Sequence, residues 1–130
     1  MTKVFVLQEN LVRDGNGAWS PKFDLTNARR YGELAFIFSF GQSGLVPDAA
    51  TFAAERLVAE DFEPGEDYVL LTGDMHLGIA LSTALQHLFD RPTVRFLRYD
   101  KRDDDYHVIS QHLFVNEQTL QEFENAAANS

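Results

Sequence analysis

Short apolar runs alternate with amphipathic stretches along this chain, and that alternation predicts its secondary structure. Runs rich in β-branched and aromatic residues predict strands at residues 4–7, 33–40, 67–72, 93–99 and 106–110. Apolar residues at helical spacing predict one helix that begins after Asp48 and a second helix over residues 75–89. Asn116 is the predicted N-cap of a short third helix, and residues 126–130 are expected to fray.

The order of these elements predicts an α/β fold. Two strand–helix–strand units pair their strands in parallel through right-handed crossovers, and a charged turn at 100–105 predicts a closing antiparallel hairpin. Residues 9–31 show no sustained period and predict a long connection with a turn at 14–17. We therefore expect one domain over residues 1–125, a small three-layer Rossmann-like sandwich with a mostly parallel sheet and an antiparallel C-terminal edge hairpin.

Composition narrows the function classes. The 130 residues contain no cysteine, which excludes disulfides, thiolate metal ligands and cysteine nucleophiles. Eleven basic and twenty acidic residues give a net charge of −9, which argues against direct nucleic-acid binding and against anionic membranes. No apolar stretch approaches the roughly 18 residues of a membrane helix, and residues 1–7 do not resemble a signal peptide. The expected location is therefore the cytoplasm.

Two glycine-containing loops follow predicted strands and precede predicted helices, which makes them the candidate ligand site. Ligands of open parallel sheets bind beyond the carboxyl ends of the strands, where glycine lets backbone amides approach and helix N-termini attract anions. The candidate residues of the first loop are Gly41, Gln42, Ser43 and Gly44. The candidate residues of the second loop are Thr72, Gly73, Asp74 and His76.

Asp74 has two interpretations. As a functional group, Asp74 would orient His76 or hold a ribose hydroxyl. Asp74 and His76 are then the candidate catalytic pair, although no nucleophile is identifiable beside them. As a structural group it would cap the second helix, which is the commoner role of aspartate at such a position. Neither loop has the glycine spacing of a dinucleotide or phosphate-loop motif.

The histidines and acidic runs do not predict a metal site or a cofactor. His107 and His112 are five residues apart and would point to opposite faces of a regular strand. The acidic segments at 60–67 and 103–105 are interpreted as solvated turns. The segment at 60–67 lacks the alternating ligand pattern of a calcium loop. The three consecutive carboxylates at 103–105 would point in different directions.

Several segments resemble a known group of proteins. They are VLQE at 6–9, YGEL at 31–34, YVLLTGD at 68–74 and FLRYDKR at 96–102. This pattern, which leaves out residues 9–28 and the C-terminal tail, is similar to small α/β proteins of tailed bacteriophages and related mobile elements. That group has no agreed activity, so the resemblance transfers no catalytic residue. It implies a phage protein that acts inside a bacterial host.

Two functional hypotheses follow. The first is a phage-encoded, non-enzymatic, acidic interaction protein that engages a protein partner or assembles with itself. The alternative is a small-ligand or nucleotide-binding protein, with a hydrolase as one form of it, that binds an anionic ligand at the two glycine-containing loops. A structural component of the virion is a third class that the sequence leaves open.

Overall fold

A five-stranded sheet forms the centre of the computed structural model, which describes residues 1–42 and 47–129. Its elements, in chain order, are strands β1 (Lys3–Gln8), β2 (Leu11–Arg13) and β3 (Trp19–Pro21), a 3-10 helix (Thr26–Tyr31), β4 (Glu33–Phe38), α1 (Ala49–Ala59), β5 (Tyr68–Leu70), α2 (Met75–Leu88), β6 (Thr93–Asp100), β7 (Asp105–His112) and α3 (Glu117–Ala128). No helix among the described residues is long and apolar enough to cross a membrane.

The strands of the main sheet lie in the order β4-β1-β5-β6-β7. The first four are mutually parallel, and β7 runs antiparallel to β6. The predicted α/β fold, with a mostly parallel sheet and an antiparallel C-terminal hairpin, is therefore confirmed. The continuous apolar run of β1 is explained by its position, because a strand with neighbours on both edges and layers on both faces is buried throughout.

The two faces of the sheet are covered differently. Helices α1 and α2 pack on one face, where Leu57 and Leu77 meet Phe5 and Val69. The opposite face holds a smaller cluster around Val4, Val6, Leu70 and Leu97, and the 3-10 helix covers it with the fully buried Ala28. The third layer of the sandwich is thus formed by the connection between β1 and β4 and contains no α-helix.

That connection has more structure than its sequence predicts. Residues 9–31 contain the two-stranded β2–β3 hairpin, which closes around the predicted turn at 14–17, and the 3-10 helix. Strands of three residues are too short for a side-chain period to be detected, which explains why the sequence predicts only a long loop here. At the other end of the chain, α3 continues to Ala128, and the fraying of residues 126–130 stays a prediction.

One carboxylate of the acidic segment 60–67 is buried and anchors β1. Asp67 is 3% exposed, and its two side-chain oxygens accept hydrogen bonds from the backbone N–H groups of Lys3 (2.9 Å) and Glu63 (2.8 Å). The interpretation of a solvated turn therefore does not hold for this residue. Its carboxylate joins the start of the central strand to the turn that leads into β5.

We expect Asp67→Ala to lower the free energy of unfolding by about 2–3 kcal/mol, because it leaves two backbone donors without an acceptor. The matched control is Glu63→Ala, which removes an exposed carboxylate from the same turn and should change stability by no more than about 0.5 kcal/mol. Urea denaturation measures both variants. If both variants changed the free energy of unfolding by the same small amount, water would be replacing the Asp67 carboxylate as the acceptor of the two backbone N–H groups without loss of stability.

Candidate functional site

The carboxyl ends of β1 and β5 form the crevice where an open parallel sheet usually binds a ligand. The connection after β1 leads to β4 on one side, whereas the connection after β5 leads to β6 on the other side. Such a reversal of strand order leaves a gap between the two departing connections. In this protein the side chain of Gln8, the last residue of β1, occupies that gap and is 7% exposed.

Gln8 ties the two predicted loops to the central strand. Its Nε2 donates to the carbonyl oxygen of Gln42 at 2.6 Å, and its Oε1 accepts from the backbone N–H of Asp74 at 3.2 Å. The hydroxyl of Thr72 donates to the carbonyl oxygen of Gln8 at 2.7 Å. The same residue therefore contacts the loop after β4 and the loop after β5, which are separated by the width of β1.

The first predicted loop is described only in part. Gln42 accepts a hydrogen bond from the backbone N–H of Ser39 at 2.6 Å through its side-chain oxygen, and Gly41 has a positive φ of 89°. Ser43 and Gly44 lie outside the described residues. Gly41 and Gln42 thus form a tight turn after β4, and their predicted role in ligand binding stays a prediction.

In the second loop, Asp74 is the N-cap of α2, as the structural interpretation predicts. Its backbone is extended (φ −68°, ψ 124°), and its side chain accepts a hydrogen bond from the backbone N–H of His76 at 2.8 Å. The His76 ring lies with Nδ1 3.4 Å from the same carboxylate oxygen, and its side chain is 71% exposed. The pair exists as predicted, at the exposed start of the helix, and its catalytic role stays a prediction.

A cavity lies beside this crevice, beyond the end of β5. Its volume is about 800 Å³, within the range of small-molecule sites. Thr72 and Gly73 are the predicted site residues that line it. The other lining residues come from the β1–β4 connection (Lys22, Phe23, Asp24, Asn27), from β5 and the residue after it (Leu70, Leu71), and from the β6–β7 hairpin (Phe96, Leu97, Arg98, Tyr99, Asp104, Tyr106, Ile109, Gln111).

The cavity exists because neighbouring strands differ in length. The last pair between β5 and β6 joins Leu70 to Leu97, and β6 then continues to Asp100. The β6–β7 hairpin therefore projects beyond its neighbour. The backbone of residues 98–100 has no strand partner on the β5 side among the described residues, and the cavity occupies the space where β5 would otherwise continue.

Several polar contacts hold the connection against the hairpin on one side of the cavity. The Asn27 side chain donates to the carbonyl oxygen of Asp104 at 3.1 Å. The Tyr106 hydroxyl donates to the carbonyl oxygen of Asp24 at 3.4 Å. An ion pair joins Arg30 of the 3-10 helix to Asp105 of β7 at 2.8 Å.

The titratable groups on this side are strongly perturbed by their neighbours. A hydrogen bond to the Asp104 carboxylate raises the pKa of the Tyr99 hydroxyl to about 12. Hydrogen bonds from Arg30 and from the backbone N–H of Tyr106 lower the pKa of Asp105. At neutral pH Tyr99 is therefore a hydrogen-bond donor, while Asp104 and Asp105 are acceptors already bound within the protein.

The strap formed by residues 22–24 separates this cavity from a second one of about 490 Å³. Lys22, Phe23, Asp24 and Thr72 line both cavities. The second cavity is bounded further by Arg29, by Leu34 and Phe36 of β4, and by residues 8–11. The strap therefore runs across the face of the sheet that the α-helices leave uncovered.

The hairpin also brings together a cluster that the sequence does not predict. Ligand atoms of Asp100, Asp103 and His107 lie within 4.8 Å of one another. Asp100 accepts from the Arg102 guanidinium at 2.8 Å, and the His107 Nε2 lies 2.6 Å from the Asp103 carboxylate. The three groups thus already have protein partners.

Sequence reasoning misses Gln8, the 22–24 strap and the part of β6 that projects past β5. A polar residue at the end of an otherwise apolar strand is the one signal that could have found Gln8. No local pattern indicates the strap, because its contacts are made with residues far away along the chain.

The fold and the site define a small α/β sandwich whose mostly parallel sheet carries a cavity at its carboxyl edge. The chain belongs to the family described as Phage Pam3 gp32-like protein, whose model matches residues 2–113. This match supports the phage origin that the resemblance implies, and it extends over residues 9–28, which the resemblance leaves out. It ends before α3. No curated protein and no solved structure matches the chain.

Gly73 and Gly41 form a matched pair for testing the crevice, because both have a φ of 89°. A Cβ at Gly73 would overlap the Gln8 amide oxygen and lie 3.0 Å from the Gln8 Cβ, whereas a Cβ at Gly41 would have none of the described residues within 4 Å. We expect Gly41→Ala to lower the free energy of unfolding by about 1–2 kcal/mol because of backbone strain. Gly73→Ala should lower it by about 1–3 kcal/mol more, because the new methyl group overlaps the Gln8 side chain.

Urea denaturation of the two variants measures this difference. In a Gln8→Ala background the overlap with the amide oxygen is removed, while close contacts with the Cβ of residue 8 (3.0 Å) and with the Asn10 Nδ2 (3.2 Å) remain. The additional cost at Gly73 should therefore become smaller, and the cost at Gly41 should stay the same. An additional cost that is unchanged without the Gln8 amide would show that this amide is not what Gly73→Ala overlaps.

The Arg30–Asp105 ion pair should make the stability of the fold sensitive to acid. The folded-state pKa of Asp105 lies below its ordinary value of 3.8, so the pair stabilises the fold fully above that value. This stabilisation is lost as the pH falls through the lowered pKa. The excess stability of the wild type over Asp105→Asn should therefore be constant above about pH 5 and shrink between about pH 5 and about pH 2 in denaturant titrations. A constant difference over this range would contradict the assignment.

Proposed function

We infer that this phage-family protein acts as a non-enzymatic interaction protein that associates with a second copy of itself through the free edge of β7. The observation that carries this proposal is an edge strand of eight residues, DYHVISQH, without lysine, arginine, proline or glycine. Proteins usually protect such an edge with charge, proline, a bulge or a covering element.

The opposite edge of the sheet is protected in one of these ways. Arg56 of α1 donates to the carbonyl oxygen of Phe36 in β4 at 3.0 Å, which covers that edge with a charged side chain. On β7 the hydrogen bonds that the described residues make to the outer edge lie at its start, where the carbonyl oxygen of Tyr106 accepts from the hydroxyl of Tyr31 at 3.1 Å and from the Arg30 guanidinium at 3.4 Å. The two edges therefore differ in how open they are to another strand.

The outward hydrogen-bonding groups of β7 can be assigned from this contact. Both backbone groups of a residue in an antiparallel ladder point to the same side, and the side alternates along the strand. Since the Tyr106 carbonyl points outward, the N–H and C=O groups of Val108, Ser110 and His112 point outward as well. The Leu113 N–H points inward, as this alternation requires, and donates to Pro92.

A two-fold axis perpendicular to the sheet through Ile109 would pair β7 with its copy. That register sets Val108 opposite Ser110 and His107 opposite Gln111, so no like charges meet. The outward groups of Val108 and Ser110 would exchange backbone hydrogen bonds across the axis. A continuous ten-stranded sheet would result, with α1 and α2 of both copies on the same face.

Helix α3, which follows β7 after four residues, carries exposed apolar side chains. None of its residues is buried, and Phe123 is 69% exposed and Leu120 40% exposed. An amphipathic helix without packing partners gains stability when its apolar side is covered. We place the second copy against this side of α3.

The decisive variant is Ser110→Pro, which removes an outward N–H while leaving the β6–β7 ladder intact. The matched control is Ser110→Ala, which keeps the N–H. Sedimentation over a range of protein concentrations should show a dimer for the wild type and for Ser110→Ala, and a monomer for Ser110→Pro. Circular dichroism checks that all three proteins are folded.

Two further results would decide the details. Because each copy carries a net charge of −9, dimerisation should strengthen as salt screens the repulsion between copies. Removing residues 117–130 should weaken the dimer without unfolding the body, since α3 contributes no buried residue. A wild type that stays monomeric at high concentration and high salt would overturn the proposal, and a dimer that survives Ser110→Pro would move its interface away from β7.

A further inference from the structure

The cavity beyond the end of β5 has aromatic walls. Phe23 of the strap and Tyr99 of β6 line it and are 39% and 46% exposed, so both rings have free area. Phe96 and Tyr106 line it from the hairpin. Aromatic side chains that remain partly exposed inside a concave site offer stacking surfaces to a flat ring.

Two cations, Lys22 and Arg98, line the same cavity. Hydrogen bonds from Arg102 lower the pKa of Asp100, and the charge of Arg98 contributes to this lowered pKa. Lys22 and Arg98 form no ion pair within the part of the chain that the structure describes, although the protein has twenty acidic residues and eleven basic ones. The Lys22 Nζ lies 5.4 Å from the centroid of the Phe23 ring, so charge and ring are side by side on the strap.

The two carboxylates that line the cavity are occupied by the protein itself. Asp24 accepts from the backbone N–H of Thr26 at 2.9 Å, and Asp104 accepts from the Tyr99 hydroxyl. The hydrogen-bonding capacity of these two carboxylates is therefore partly used within the protein. The charged groups of Lys22 and Arg98 remain able to bind an anionic ligand. On the β5 side of β6, the backbone N–H and C=O groups of Tyr99 have no strand partner among the described residues and add a donor and an acceptor at the edge of the cavity, whereas those of Arg98 and Asp100 face β7.

We propose that this cavity binds a planar heteroaromatic ring that carries an anionic group, with a nucleoside monophosphate as the chemical class. The ring would stack on Phe23 and Tyr99 and use the free backbone edge of β6. The anionic group would lie between Lys22 and Arg98. This site shares only Thr72 and Gly73 with the glycine-containing loops, because Gln8 fills the crevice between those loops.

The test titrates four compounds into the full-length protein and follows the backbone amide signals by NMR. AMP and GMP carry both the ring and the anion, adenosine carries the ring alone, and inorganic phosphate carries the anion alone. We expect at least one nucleotide to shift the amides of residues 22–27, 71–73 and 96–99. Adenosine and phosphate should bind at least about ten-fold more weakly.

Three variants assign the contacts. Phe23→Leu removes the exposed ring but keeps apolar volume, and Lys22→Gln removes the charge but keeps a polar side chain. Each should weaken nucleotide binding about ten-fold. The matched control is Arg13→Gln, which removes a cation that lies over Trp19 and lines neither cavity, and it should bind as the wild type does.

The outcomes that overturn the proposal are specific. Phosphate binding as tightly as AMP would remove the role of the ring, and adenosine binding as tightly as AMP would remove the role of the anion. Unshifted amides at about 10 mM nucleotide, with a dispersed spectrum of folded protein, would remove the site. The Ser110→Pro variant should bind the nucleotide as tightly as the wild type does. Nucleotide binding can therefore be tested separately from self-association.

Discussion

The hydrogen bonds of Gln8 determine what the carboxyl edge of the sheet can do. A buried amide at the end of the central strand must satisfy its donors and its acceptor, and here it does so with one loop on each side. Gly73 is required next to it, because any side chain there would overlap the amide oxygen. The usual ligand crevice of a parallel sheet is thereby filled by the protein's own side chain, and the open space lies one strand further along.

That space results from the short β5. Because its pairing with β6 stops at Leu70, the β6–β7 hairpin extends past the sheet and has to be supported from elsewhere. The connection after β1 provides this support through Asn27, Tyr106 and the Arg30–Asp105 pair. The same hairpin carries the cavity on its inner side and the free strand edge on its outer side, so both candidate surfaces depend on one structural feature.

The sequence predicts the parts of this arrangement that depend on neighbouring residues. Apolar runs predict the five strands of the main sheet, and Asp74 and Asn116 cap their helices as expected. Non-local features are not predictable in this way. The partners of Gln8 lie 34 and 66 residues away, and the strap at 22–24 has no periodicity. Of the residues that line the cavity, the sequence singles out Thr72 and Gly73 as candidates, whereas it does not single out the aromatic and basic residues of the same cavity.

Net charge is a poor guide to what such a protein binds. A charge of −9 argues against a polyanion, because a long phosphate backbone contacts a wide surface and senses the average charge. A small anion contacts only the few groups that line its cavity, and there the carboxylates are engaged in hydrogen bonds while Lys22 and Arg98 are not ion-paired among the described residues. Association of two copies depends on the net charge of the whole protein, because two negatively charged copies repel each other. Salt shortens the Debye length and screens this repulsion, so association is disfavoured at low salt. Salt should therefore strengthen the contact between copies and weaken the binding of a small anion, which distinguishes the two surfaces in one protein.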